Sequence, residues 1–331
     1  MSSRNYFYSY FFYKITLTLY LFRVIMYSTI EKHIYLFNKK EKIQMKLEEY
    51  MSYIKELDHN PYIQIPNSLV KEITRDCRNH NSESYSHYGY SFLVLNGFLY
   101  KYTNYINISN KEYINMGDMK EILKYNPKNQ KLDIVTRRNT GILEQEGYVT
   151  TTTDIPISYE HIDCEDKFYN DRKILHSTDV GEDFRSYIYT EILRTPNYYS
   201  YIPTFMTDSR RSKGSLNNYE NTFRLNYSEF EYFIFNDDFN LREFFVYCYI
   251  KSSKDERGMS EISYEKFKRQ TGISKSTVVK ITKRLENEGI IDIISSGNKS
   301  YKKRNPNKYR IRDEFIINLS KDKKCAQNIA I

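Results

Sequence analysis

The stretch from Ser263 to Ile291 constrains this chain more than any other part of it. Ser263 is the residue type whose hydroxyl accepts from an unpaired amide at a helix start. Phe267 supplies the apolar contact of the short helix that follows, which runs out near Gln270. Gly272 is suited to the positive φ that a helix C-terminus requires. Ile273 then turns inward, and Ser274 caps a second helix. In that helix Val278, Ile281 and Leu285 stand at i, i+3 and i+7, which makes one buried stripe. Lys275, Ser276, Lys280 and Lys283 take the opposite side, with Thr277 and Val279 among them. Gly289 ends the helix, and Ile290, Ile291, Ile293 and Ile294 form a run rich in β-branched residues. The spacing predicts two short helices about a tight turn, followed by a strand.

The next segment, Ser295 to Ile311, reads as a polar turn region and a second strand at Tyr309 to Ile311, completing a β-hairpin. Lys299, Lys302, Lys303, Arg304 and Lys308 lie on it. Residues 251–312 hold 17 Lys and Arg against 7 Asp and Glu, a net +10 in 62 residues, while the whole chain carries only +8. The remainder is therefore at −2, and the positive charge is concentrated in one region. Such a footprint favours a polyanion partner. Two blander readings compete with it: an ordinary amphipathic helix pair in a larger core, and a solvated basic tail for the hairpin. Against the first stands the exposed side of the second helix, which is basic and small, as a surface for phosphates and a groove needs.

Over residues 240–312 the pattern resembles the winged-helix domains of bacterial regulators of the leucine-responsive and multiple-antibiotic-resistance types. It also resembles the winged helices of plasmid and phage replication initiators. The resemblance implies that the helix from Ser274 to Glu288 enters the major groove of DNA while the hairpin, as a wing, meets the backbone or minor groove. Lys275, Ser276, Thr277, Val279, Lys280 and Lys283 then face the groove, with Val279 placed for a thymine methyl. Lys299, Lys302, Lys303, Arg304 and Lys308 neutralise phosphates.

A weaker copy lies upstream. Leu143-Glu-Gln-Glu-Gly147 matches Leu285-Glu-Asn-Glu-Gly289 at a distance of 142 residues. Helices are predicted over Tyr88 to Tyr105 and Asp118 to Lys124, with a turn at Asn126 to Gln130. Lys131 to Glu146 is then the candidate second recognition helix, exposing Lys131, Arg137 and Arg138, and Val149 to Pro156 its strand or wing. The copy departs from the pattern. Thr136 and Asn139 stand where the later helix has Val278 and Ile281, and Gly141 falls in the interior, where it costs about 1 kcal/mol against Ala. A core or dimerisation module is the competing reading.

Five segments follow from this. Residues 1–45 are an aromatic leader, 46–158 an N-terminal winged-helix-like domain, and 159–238 an irregular linker. Residues 239–315 are the C-terminal winged helix, and 316–331 a tail. Within the linker, Asp183 to Arg194 reads as helical and 208–218 as the most flexible portion. The expected fold is mainly α with small β wings, an α+β class, with tandem winged helices. The leader's longest uncharged run, Ile15 to Phe22, is far short of the ~20 residues of a membrane span. It reads as dispensable or as a misassigned start, with a packing helix and a membrane anchor as competitors.

Composition bounds the rest. Cys77, Cys164, Cys248 and Cys325 are scattered without a Cys-x-x-Cys pair, which argues against a disulfide framework and against zinc of the usual spacing. Reduced thiols fit a cytoplasmic protein. Cys77 and His80 make a lone Cys-x-x-His. The 34 tyrosines read as core and surface filler. No phosphate-cradling Gly-rich loop and no His-x-His or His-Glu-x-x-His group occurs, so catalysis, a metal and a cofactor are not expected. The expected activity is sequence-specific binding of double-stranded DNA, most simply as a plasmid- or phage-type replication initiator. A winged-helix transcription regulator is the alternative, and a membrane-associated or structural polyanion binder the rival of another class. A homodimer is left open, and no membrane or small-molecule partner is indicated.

Overall fold

The computed structural model describes residues 61–103, 105–108, 111–161, 172–195, 198–208, 211–215, 221–294, 306–316 and 319. The leader, most of the tail and the tip of the C-terminal hairpin lie outside these residues.

Strand β1 (Tyr62–Pro66) leads into α1 (Leu69–Asn79), which buries Leu69, Val70, Ile73 and Cys77 along one face. Helix α2 (Ser86–Lys101) follows, and every residue in it except Lys101 is buried. A helix without a solvent face can only be a core element. A small hairpin, β2 (Ile106–Asn107) and β3 (Glu112–Tyr113), precedes α3 (Met116–Ile122). Asn115 opens α3 with a reciprocal cap: its side chain accepts from the Gly117 and Asp118 amides, and Asp118 accepts from the Asn115 amide. Two single-turn helices, α4 (Asp133–Thr136) and α5 (Ile142–Gln145), lead to β4 (Val149–Thr152), β5 (Pro156–His161) and β6 (Arg172–His176). Helix α6 (Glu182–Tyr187) continues as a π-helical turn, Ile188–Leu193. Strands β7 (Ser200–Pro203), β8 (Thr207–Asp208), β9 (Arg211–Ser215) and β10 (Thr222–Asn226) complete the middle of the chain.

The last part runs α7 (Tyr227–Phe235), α8 (Leu241–Ser252), β11 (Met259–Ile262), α9 (Tyr264–Thr271), α10 (Lys275–Asn287), β12 (Ile291–Ile294) and β13 (Asn307–Ile311). The strand pairings are antiparallel, in sheets ordered β1-β10, β2-β3, β4-β7, β5-β6-β9-β8 and β11-β13-β12. The class is mixed α+β, as expected.

Tyrosines are prominent in the core of the described residues. Tyr88, Tyr90, Tyr100, Tyr102, Tyr105, Tyr227, Tyr247, Tyr249 and Tyr309 are among its largest fully buried side chains. Helix α8 lies against α2, with the Tyr90 ring 6.1 Å from Phe244 and 5.3 Å from Phe245, centroid to centroid. Phe230 of α7 joins both helices, 5.6 Å from Phe98 and 5.4 Å from Phe244. Edge-on and tilted aromatic pairs of this kind add about 0.5–1.5 kcal/mol beyond area burial. Two buried hydroxyls are offered carbonyls: Tyr198 donates to Ile114 O at 2.8 Å and Tyr201 to Thr136 O at 2.9 Å.

Two expectations are corrected. Residues 159–238 are not irregular throughout: they carry β6 to β10, α6 and α7, and β10 pairs with β1 from Tyr62↔Asn226 to Pro66↔Thr222. The aromatic residues of α7 are what turned a punctuated stretch into core. The continuous helix from Lys131 to Glu146 does not form either. Asp133–Thr136 and Ile142–Gln145 are separate turns, and between them Asn139 takes a left-handed conformation, φ 63°. The Gly141 amide closes this bend onto Arg137 O at 2.7 Å. A glycine fits this bend because a Cβ at Gly141 would fall 2.6 Å from Arg137 N and 2.7 Å from Val135 O. The strand after it, β4, pairs with β7, so no three-stranded winged sheet is built there.

Candidate nucleic-acid interface

The first helix of the motif, α9, starts where Ser263 Oγ accepts from the Lys266 amide at 3.1 Å. Phe267 pins it, 5.3 Å from the Tyr249 ring of α8 and 5.5 Å from Tyr309 of β13. Gly272 ends it at φ 69°, donating to Lys268 O at 3.0 Å. An upstream element braces this turn. Arg78 of α1 donates to Arg269 O at 3.0 Å and to Glu83 at 2.8 Å, and the Glu83 side chain lies so close to Gly272 that a Cβ there would meet its Cγ at 2.5 Å.

Ser274 opens α10, its Oγ accepting from the Thr277 amide at 3.3 Å. Val278, Ile281 and Leu285 are buried as the spacing required, and Thr282 is buried with them. Gly289, φ 70°, stops the helix, and the Ile290 amide returns to Leu285 O at 2.9 Å. Strand β12 leaves at once, tied back by Glu286, whose Oε1 accepts from the Ile293 amide at 3.3 Å. The central strand of the sheet is β13, flanked by β12 and by β11, which the sequence reading did not foresee. Helix α8, the helix-turn-helix pair and this sheet together form a winged helix.

The solvent side of α10 carries the expected residues. Lys275, Ser276, Lys280 and Lys283 are exposed, and Thr277 and Val279 half-buried. Lys275 has Glu265 at 3.9 Å, a pair so open to water that it contributes little. Lys280 and Lys283 have no acidic partner among the described residues. Lys308 is exposed on β13. Lys299, Lys302, Lys303 and Arg304 lie outside the described residues. On the sheet, Arg310 and Arg312 reach Asp292 at 2.8 and 2.7 Å. The hydrogen bond from Arg310 above all holds the Asp292 carboxyl below its ordinary range.

Sequence reasoning missed Arg284 and Arg242. Arg284 is 46 % exposed on the flank of α10, 3.6 Å from Glu243. Arg242 is exposed in the first turn of α8. The signal available was the cap Asn240-Leu-Arg-Glu243, whose reciprocal bonds the structure contains: Asn240 accepts from the Arg242 amide at 2.8 Å and donates its own amide to Glu243 at 3.0 Å.

The upstream cations do not form a matching face. Lys131 is exposed in a turn, Arg137 follows α4 and sits 3.6 Å from Asp133, and Arg138 lies half-buried with its guanidinium 4.7 Å over the Tyr199 ring. With the helix broken at 137–141 they share no helical side. The Cys77/His80 pair is not a metal site in embryo: Cys77 is buried, its thiol pushed up to about 11 by burial, and His80 bonds Glu146 at 2.7 Å. Among the described residues no helix is long and apolar enough to cross a membrane, and no cluster of three or more His, Cys, Asp or Glu is placed to hold a metal ion.

Residues 240–291 match the family described as a helix-turn-helix domain, from the cap of α8 to the first residue of β12. Comparison with curated proteins and with solved structures finds no match.

Proposed function

We propose that this chain binds double-stranded DNA in a sequence-specific manner, in the role of a plasmid- or phage-type replication initiator, by recognition rather than chemistry and in the cytoplasm. One observation carries the reading. Helix α10 presents Lys275, Ser276, Lys280 and Lys283 to solvent while Val278, Ile281 and Leu285 hold its other side in the core. A helix anchored this way can enter a major groove without unpacking, its first-turn side chains nearest the base edges. What favours initiation over regulation is the way the winged helix is built in. It shares the α2–α8 core and the Arg78 brace with the described upstream residues, so the two are packed as one body there.

The test is selection of bound fragments from random and genomic DNA pools, read by sequencing. Repeated sites clustered near an origin are expected. Single sites at promoters would replace initiation by transcription regulation, and an absence of any enrichment would end the claim of sequence specificity.

A further inference from the structure

The side of α10 turned towards α8 opens on a groove. A cavity of about 350 Å³ lies between them, with Thr277, Lys280 and Arg284 on one wall and Asn240, Arg242 and Glu243 on the other. A second hollow of about 210 Å³ shares Asn240 and Arg242 and continues to Lys124, Tyr125 and His87 of the upstream chain. Through these two shared residues the lining, hereafter the channel, runs from α10 past the start of α8 to the turn after α3.

Its lining is mostly cationic. Lys124, Arg242, Lys280 and Arg284 border it, and Glu243 is the one acid lining either hollow. Glu243 is 5 % exposed and already engaged, by the Asn240 amide at 3.0 Å and by Arg284 at 3.6 Å. Arg242 has no acidic partner among the described residues. Its field is felt within the channel: burial first, and then Arg242, push His87 down to about 4. His87 is therefore neutral at pH 7 and pairs with the Tyr125 hydroxyl at 2.8 Å. Lys124 is tied down at one end. Lys124 Nζ donates to Asn236 O at 2.7 Å and Phe239 O at 2.9 Å, bridging α3 to the loop that enters α8.

A mostly cationic channel running off the flank of a groove-reading helix suits a chain of evenly spaced anions. An apolar or neutral partner would leave these charges uncompensated. We propose that the phosphodiester backbone flanking the base pairs read by α10 lies in this channel, bound by Arg284 and Lys280, then Arg242, and then Lys124. The proposal rests on α10 as the DNA-contacting helix and adds that the upstream chain takes part in duplex contact through Lys124, in the turn after α3. That contact is distinct from Lys131, Arg137 and Arg138.

The experiment uses the full chain and a labelled mixed-sequence duplex of about 40 base pairs, with affinity measured over a range of salt. Removing one phosphate contact flattens the plot of log K against log salt by about one unit. Arg242→Gln is expected to do this, and Arg242→Lys to restore the slope. Lys283→Gln, on the groove-reading side, reports separately on α10. Should Lys283→Gln flatten the slope while Arg242→Gln leaves it unchanged, the channel proposal is overturned and the α10 reading survives. Should the unaltered protein show no salt-dependent affinity, both fall. Arg185→Gln removes an exposed cation of α6 that does not line the channel, and is expected to have no effect. A slope change there equal to that of Arg242→Gln would reduce the result to bulk charge and overturn the proposal.

Discussion

Leu143–Gly147 and Leu285–Gly289 stop their helices in the same way. Both leucines are fully buried. Gly147 and Gly289 sit at φ 74° and 70°, each donating to the carbonyl three residues back, at 3.1 and 3.0 Å. The next amide, of Tyr148 or Ile290, returns to the leucine carbonyl at 2.7 or 2.9 Å. What comes before differs completely. In α10 an unbroken seam of Val278, Ile281 and Leu285 carries 13 residues of helix, whereas the upstream stretch offers Thr136, Asn139 and Gly141 and yields two pieces of four. A helix stop is written in a few local residues. A helical face of this length needs a continuous apolar seam behind it.

The largest effect expected from this contrast is at Leu285. Leu285→Ala should lose about 2–5 kcal/mol in urea unfolding, as a buried leucine truncated in a packed core does. Leu143→Ala should lose a comparable amount, because that leucine is equally buried. The two variants should part in duplex binding. At a temperature where both remain folded, Leu285→Ala should weaken affinity and Leu143→Ala should not. Equal losses of affinity would mean that the upstream stretch supports the interface as much as α10 does.

Gly141→Ala tests the contrast by its sign. In a continuous helix, Ala for an interior Gly stabilises by about 1 kcal/mol. Here the added Cβ would meet Arg137 N, Arg137 O and Val135 O at 2.6–2.7 Å, backbone atoms that cannot swing aside. A loss of about 1–3 kcal/mol is expected, as for other overpacked sites. A gain would show that Lys131 to Glu146 is helical in solution and that the two regions are alike after all.

The same contrast explains what was legible. The winged helix could be read almost residue by residue because its determinants are local: Ser263 and Ser274 as caps, Gly272 and Gly289 as stops, and three apolar residues at helical spacing. Strand β11 was missed because Met259–Ile262 is short, and only pairing with β13, about 50 residues later, makes it a strand. The role of 222–235 was missed for a similar reason. β10 needs β1, some 160 residues earlier, and α7 needs the aromatic faces of α2 and α8. Arg242 and Arg284 were invisible as a pair because a linear reading does not bring the first turn of α8 beside the flank of α10. Lys131, Arg137 and Arg138 were grouped by an expected helix that the structure breaks into two turns, so they share no helical side.

The smallest expected effect tests the feature the two regions share. Gly147 and Gly289 both occupy left-handed backbone, and neither has a neighbour that would collide with a Cβ. Nothing lies within 4 Å of one, and Arg312 Nη1 is at 3.4 Å from the other, an ordinary contact. The cost of alanine at either place is therefore conformational alone, about 1–2 kcal/mol for an L-residue held in that region. Gly147→Ala and Gly289→Ala should give nearly equal losses in urea unfolding. A much larger loss at Gly289 would mean that the stop also sets the path of β12, so that termination and wing are coupled there in a way that has no counterpart at Gly147. Near equality would leave the seam behind α10 as the difference between one continuous helix and a pair of separate turns.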